Sequence, residues 1–466
     1  MRQTRFARLA RAALFLPMLC AALDAGAQDM RTRYGAAADR IITAALADSA
    51  AYHRLGELVD RFGPRFSGTP ELERAIDWIL LEMSRDGLQN VRGERVMVPR
   101  WVRGSESATL VSPRRAELHM LGLGGSIGTP RAGITAPVLV VRSFDELRER
   151  ASLAPGKIVL FDVPFTTYGA TVQYRSNGAI EAARVGAVGV LIRSVATASL
   201  QTPHTGAMRY DTTVRRIPAA ALSVEDAAML SRMYDRGERV AVTLRMNARS
   251  YPDVPSRNVV AELVGREKPE EIIVVGGHID SWDVGQGAVD DAGGSVAAWE
   301  AVRLLQRLGL RPRRTIRVVL WTNEENGLRG ANAYRDRYAA VLDRHVLAIE
   351  SDGGVFAPLG FSVAGSEATV AGVAEIATLL RRIGATSVRR GGAGADVGPL
   401  VQRGVPGAGL LVDGTEYFWY HHSAADMFDK IDAAEFTQCV AALAVLAYVA
   451  AEIPEPLPRA APADQR

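Results

Sequence analysis

Apolar positions recur at two different periods along this chain, and the switch between them divides it. Within residues 33–62, Ile41, Ile42, Leu46, Leu55, Leu58 and Val59 fall at helical spacings. Thr69-Pro70-Glu71 reads as a helix start, with Thr as the cap and Pro in the first turn, before an amphipathic helix running to about Gly87. Residues 91–98 read as a strand. From about 130 to 250 the elements shorten. Strands are expected at 138–142, 157–162, 188–192, 219–222 and 240–244, with helices near 179–185 and 224–236. Beyond 255, uninterrupted apolar runs at 272–276, 315–321, 346–349 and 408–412 alternate with helices near 293–308, from Leu328, and near 368–383. A long final helix covers about 433–452. Runs without polar alternation suit strands buried on both faces, and their alternation with helices predicts an α/β fold whose sheet is mostly parallel and flanked by helices.

The expected organisation follows. Residues 28–128 supply the N-terminal part of the main domain, 129–252 form a separate inserted domain, 253–455 carry the main α/β unit, and the Pro/Ala-rich tail 456–466 is expected to be disordered. Residues 1–27 stand apart. Arg2, Arg5, Arg8 and Arg11 precede an apolar run from Ala12 to Leu23, and Ala25-Gly26-Ala27 offers small residues for cleavage. That three-part pattern predicts a secretory signal peptide and an exported product, periplasmic or secreted.

Charge changes the picture only by exclusion. The whole chain carries +3, and residues 1–27 alone hold four Arg and one Asp, so the processed chain is near neutral. Nothing points to nucleic acid or to an anionic membrane surface. No second stretch reads as a membrane span. Cys20 lies in the leader, so Cys439 is the single cysteine left after processing; its Ala-rich surroundings predict a small core residue. Without an internal disulfide, an exported protein relies on its core and on metal.

The chemistry concentrates in five short segments: His278-Ile-Asp280, Asp290-Asp291, Glu324-Glu325, Asp352, and His421-His422. Four of them fall where an apolar run ends, and in open α/β sheets the ligand crevice lies at the carboxyl ends of the strands. Taken singly each is bland. An Asp-Asp pair before Ala-Gly-Gly is a good helix N-terminus, and Glu-Glu-Asn-Gly is an ordinary turn. Together they match the needs of a two-metal site without thiolates: a carboxylate to bridge, imidazole and carboxylate ligands for each ion, and one unligated carboxylate to take a proton from water. The adjacent Glu324 and Glu325 can divide the ligand and base duties. Asp280, two residues beyond His278, is placed to orient the imidazole.

The stretches GGHIDSWDVGQGAVDDAGG, LWTNEENGLRGANAY, AIESDGG, GADVGPLVQRGVPGAGL and YHHSAAD resemble the M28 zinc peptidases, and the resemblance covers nearly the whole processed chain. It implies a zinc aminopeptidase/carboxypeptidase-like fold and two Zn²⁺ per chain. His278 and Asp352 would hold one ion, Glu325 and His422 the other, with Asp290 bridging and Glu324 as general base. His422 is chosen over His421 because the family's ligand opens a His-Ser/Thr-x-x-Asp motif, here ending at Asp426; His421 is left to contact substrate or oxyanion. Asp290 is chosen over Asp291 as the first acid of the pair, and the resemblance implies a cis peptide between them. GKIVL and AARVGAVGVLI look like the protease-associated domain found inserted in several peptidases.

The implied activity is hydrolysis of dipeptides or small peptides by metal-activated water, in a homodimer. An aminopeptidase of the same family shares the metal site, a receptor-like binding protein would have lost its ligands, and a glutaminyl cyclase on the same core would lack the insertion.

Overall fold

The structure is a computed structural model that describes residues 29–198 and 200–459. The leader pattern over 1–27 and the last seven residues, 460–466, lie outside the described residues.

Two eight-stranded sheets organise the chain. The larger runs in the order Gln89–Val102, Arg249–Leu263, Arg314–Trp321, Lys268–His278, His345–Glu350, Gly407–Val412, Pro358–Ala364, Ser387–Arg390. Its centre, from Arg314–Trp321 to Gly407–Val412, is parallel. The first three strands pair antiparallel, as do Pro358–Ala364 and Gly407–Val412. The sheet is therefore mixed, where the apolar runs predict a mostly parallel one. The reason is visible in composition: the flanking strands are polar over much of their length, so they lack the run that betrays a doubly buried strand.

One face of this sheet packs under Ala433–Glu452, Gly293–Arg307 and Ser49–Phe62, with Ile273, Val275, Val318 and Leu320 pointing into that layer. The other face, through Val274, Val319 and Trp321, meets Tyr334 and Leu400. Ala433–Glu452 starts cleanly because Asp432 accepts from the N–H groups of Ala434 and Glu435, and it contains neither Gly nor Pro. It is long and apolar enough to cross a membrane, yet 78% of its most apolar window is buried in the protein core. Cys439 sits on this helix, fully buried.

The smaller sheet has Tyr168–Arg184 on one face and Val224–Asp235 on the other. It includes Glu106–Ser112, Ala116–Leu118 and Met120–Gly122, all upstream of the expected boundary at 129. Two chain passes join the sheets, where Gln89–Val102 leads into Glu106–Ser112 and Ala241–Met246 leads into Arg249–Leu263.

Two local expectations change. The helical stretch across 33–62 is two helices, because Asp48 turns out of helical geometry and caps Ser49–Phe62 through the N–H of Ala50. The tail is ordered through residue 459. Leu457 is buried in the main core, and Arg459 donates to the carbonyls of Gly404, Leu342 and His345.

Candidate metal centre

His278 is the last residue of the strand Lys268–His278, in register with Trp321 on the neighbouring parallel strand. Glu324 and Glu325 follow that neighbour by a short turn, Asp352 follows His345–Glu350, and His421-His422 follow Gly407–Val412 through the short helix Tyr417–Tyr420. Parallel strands thus deliver four of the five segments to one edge. Asp290 arrives by a different route, in the turn that opens the helix Gly293–Arg307.

The turn is held tightly. Arg65, fully buried, donates to the carbonyls of Ile279, Gln286 and Gly287 at 2.7–3.0 Å. Asp426 accepts the N–H groups of Val289 and Asp290 at 2.6 and 3.1 Å. The Asp290–Asp291 peptide bond is cis. The two acids then diverge. Asp291 turns back to accept from the N–H groups of His278 and Gly294, at 3.0 and 3.1 Å. Asp290 points forward, and its two oxygens face two different histidines: Oδ1 lies 3.1 Å from His278 Nε2 and Oδ2 lies 3.2 Å from His422 Nε2.

The remaining candidates complete two groups. Asp352 Oδ1 is 3.4 Å from His278 Nε2, and Glu325 Oε2 is 3.0 Å from His422 Nε2. His421 Nε2 is further from Asp290 Oδ2, at 3.7 Å, and its ring stacks on that of His422 with centroids 3.5 Å apart. His278 Nδ1 donates to the Asp280 main-chain carbonyl at 2.9 Å, which leaves Nε2 facing the carboxylates. Asp280 thus meets the imidazole with its backbone rather than its carboxylate. Its carboxylate accepts instead from the Glu324 N–H and the Ser67 hydroxyl, both at 3.1 Å.

These groups could hold metal ions: ligand atoms of His278, Asp290 and Asp352, and of Asp290, His421 and His422, lie within 4.8 Å of one another. Asp290, Glu325, Glu324 and Asp352 crowd together, and neither Asp290 Oδ2 nor Glu325 Oε1 accepts a hydrogen bond. Buried carboxylate oxygens without donors are costly unless a cation meets them. Electrostatics repeat the point. Burial, then the charges of Asp352, Asp290 and Asp280, push the Glu324 carboxyl up to about 8. Burial favours neutral His278, but its contacts with Asp290 and Asp352 outweigh that and hold its pKa well above the usual range. His422 goes the other way, pulled down by burial and by nearby Arg175.

A cavity of about 350 Å³ opens over the cluster, lined by Asp290, Glu324, Glu325, Asp352 and both histidines of the 421–422 pair. Five further lining residues escaped sequence reasoning: Tyr168 and Arg175 of the small domain, and Ala395, Tyr417 and Phe418 of the main one. Arg175 is buried, donates to the Tyr168 hydroxyl at 2.8 Å, and has an unpartnered Nε. No motif marks Tyr168 and Arg175, which the fold brings to the cavity from the small domain.

The family described as Peptidase family M28 matches residues 258–447. Mouse (Mus musculus) carboxypeptidase Q is 49% identical over 88% of this chain and 87% of its own length. The crystal structure of a peptidase M28 precursor from Shewanella amazonensis superposes with a TM-score of 0.89 at 35% identity, covering 92% of this chain and 99% of that one. A zinc aminopeptidase from Bacillus subtilis shares the fold, at a TM-score of 0.65 and 22% identity over 87% and 96% of the two chains.

Proposed function

This chain belongs to peptidase family M28, and from that premise we propose that it is an exported two-zinc exopeptidase that hydrolyses dipeptides or other small peptides with Glu324 as general base. One observation carries the reading: the Asp290 carboxylate spans His278 and His422 at 3.1 and 3.2 Å, each histidine having a second carboxylate beside it. A bridging acid with one histidine and one further acid at each end is the donor set two zinc ions need. His278, Asp352 and Asp290 would hold one ion; His422, Glu325 and Asp290 the other.

Zinc bound there supplies Lewis acidity toward a peptide carbonyl and acidifies water. The chain's own groups do the rest. Glu324, its backbone held by Asp280, takes the proton of the attacking water and returns it to the leaving amine. Tyr168, Tyr417 and Phe418 wall the cavity and limit water around the scissile bond. Arg175 is the one Lys or Arg side chain among the lining residues, and its charge supports recognition of a terminal carboxylate. That favours a carboxypeptidase or dipeptidase over an aminopeptidase. His421, unpartnered at Nδ1, stands beside the same space as a substrate or oxyanion contact. Export rests on the leader pattern over 1–27, and the homodimer on the family resemblance.

The test is a panel of dipeptides, N-blocked peptides and aminoacyl amides, with and without a chelator. Chelator-sensitive cleavage of dipeptides is expected. Cleavage of amides but not of free-carboxylate peptides would replace this reading with an aminopeptidase, and no cleavage of any member would leave a binding protein.

A further inference from the structure

The contact between the two domains converges on the backbone of His421 and His422. From the small domain, His204 Nδ1 lies 2.6 Å from the His421 carbonyl oxygen, so Nδ1 carries the proton and donates it. The next residue, Thr205, donates its N–H to the His422 carbonyl at 2.9 Å. The Thr205 carbonyl in turn lies 3.3 Å from His422 Nδ1. His204 is only 1% exposed, its own N–H is tied to Ser194 Oγ at 2.8 Å, and its Nε2 has no partner. A buried imidazole with one bond is held in place by that bond. His422 also needs holding, because its φ of 61° lies in the left-handed region that side-chain-bearing residues seldom adopt.

The joint around this contact is firm. Arg103, at the end of the strand that enters the small domain, pairs with Asp283 through bonds of 2.5 and 2.9 Å and reaches the Thr205 hydroxyl. Gly124 lies flat on Trp282, where an added Cβ would come within 2.0 Å of the indole. Trp282 in turn sits 5.5 Å from the His422 ring.

Tautomer logic gives these contacts a purpose. His422 Nε2 faces Glu325 and Asp290, so a neutral ring that offers its lone pair there must carry its proton on Nδ1. The Nδ1 proton needs an acceptor. Arg175 Nη1 also lies 3.3 Å away but has only donors, whereas the Thr205 carbonyl accepts from both. We propose that the small domain completes the metal centre, with His204 and Thr205 positioning the backbone and fixing the tautomer of His422. This rests on the two-zinc reading above. Neither residue touches substrate or metal; both act through His422. Because coupling is reciprocal, metal held on the His422 side also stabilises docking of the two domains.

Zinc titration of the metal-stripped full chain tests this with paired variants. His204→Asn places an amide nitrogen where Nδ1 sits and keeps the bond; His204→Gln places it where Nε2 sits and loses it. His204→Gln is expected to weaken one of two zinc sites by about 10- to 100-fold and spare the other, and His204→Asn to restore it. Wild-type affinities in His204→Gln, or equal weakening of both sites, overturn the inference while leaving the two-zinc reading intact. Failure of the wild-type chain to take up zinc overturns both. A measurement needing no variant is the histidine ¹⁵N spectrum of the zinc-loaded protein, which should show His422 protonated at Nδ1; protonation at Nε2 refutes the proposal.

Discussion

The Asp280 carboxylate accepts the main-chain N–H of Glu324 at 3.1 Å, fixing the turn that carries the proposed base to the end of the strand that carries His278. Proton transfer in a two-metal hydrolase depends on such placement, because the base has no covalent partner to guide it. Glu324→Gln keeps the shape and the backbone contact and removes only the basic oxygen. Turnover is expected to fall by roughly 10²- to 10⁴-fold while zinc content is unchanged. Steady-state kinetics beside metal analysis checks this; full activity in the variant would move the base elsewhere.

Asp290 is expected to matter to both ions at once. Asp290→Ala should lower zinc content at both positions, whereas His278→Ala should chiefly empty the His278–Asp352 side. Elemental analysis after gel filtration distinguishes them. Two tightly held zincs per chain in Asp290→Ala would rule out the bridge.

Arg175 predicts a split between substrates. Losing a charge-assisted hydrogen bond costs about 1.5–3 kcal/mol, so Arg175→Gln should raise KM roughly 10- to 100-fold for peptides with a free carboxylate. The corresponding C-terminal amides should be cleaved as poorly by the variant as by the parent. A uniform loss across both series would assign Arg175 to holding His422 alone.

Much of the candidate site was legible in the chain because four of its five segments follow an apolar run, and such runs end at the crevice of an α/β sheet. Asp290 over Asp291, and His422 over His421, came from the resemblance; in the structure Asp291 accepts two backbone N–H groups, and His421 stands beside His422 and 3.7 Å from Asp290. What escaped reading acts through main chain or across domains. The carbonyls of Asp280 and Thr205 have no side-chain signature, and Arg175 is one of many arginines until the fold brings it to the cavity. The flanking strands Gln89–Val102 and Arg249–Leu263 escaped as antiparallel partners because their exposed ends read as loop.

Stability should also respond to acid through a site far from the metal. His345 is 1% exposed, contacts the Tyr334 hydroxyl at 3.0 Å, and is held down to about 4 by burial first. The unfolded chain would protonate it near 6.5. A depressed histidine stabilises the fold fully above 6.5 and loses that contribution as pH falls toward 4. The loss amounts to roughly 3 kcal/mol at about 1.4 kcal/mol per pH unit of pKa difference. Urea unfolding of the parent and of His345→Gln at pH 7, 5.5 and 4 should show a shallower acid decline in the variant. Parallel declines would remove His345 from the account.

The ordered end of the chain has a practical corollary. Arg459 is stitched to the beginning of the strand whose far end leads to Asp352, with on the order of 17 Å of strand between them. A tether attached at that anchor would lie on the side of the sheet opposite the candidate site. Attachment to a surface through the C-terminus would therefore present the cavity outward to passing peptides.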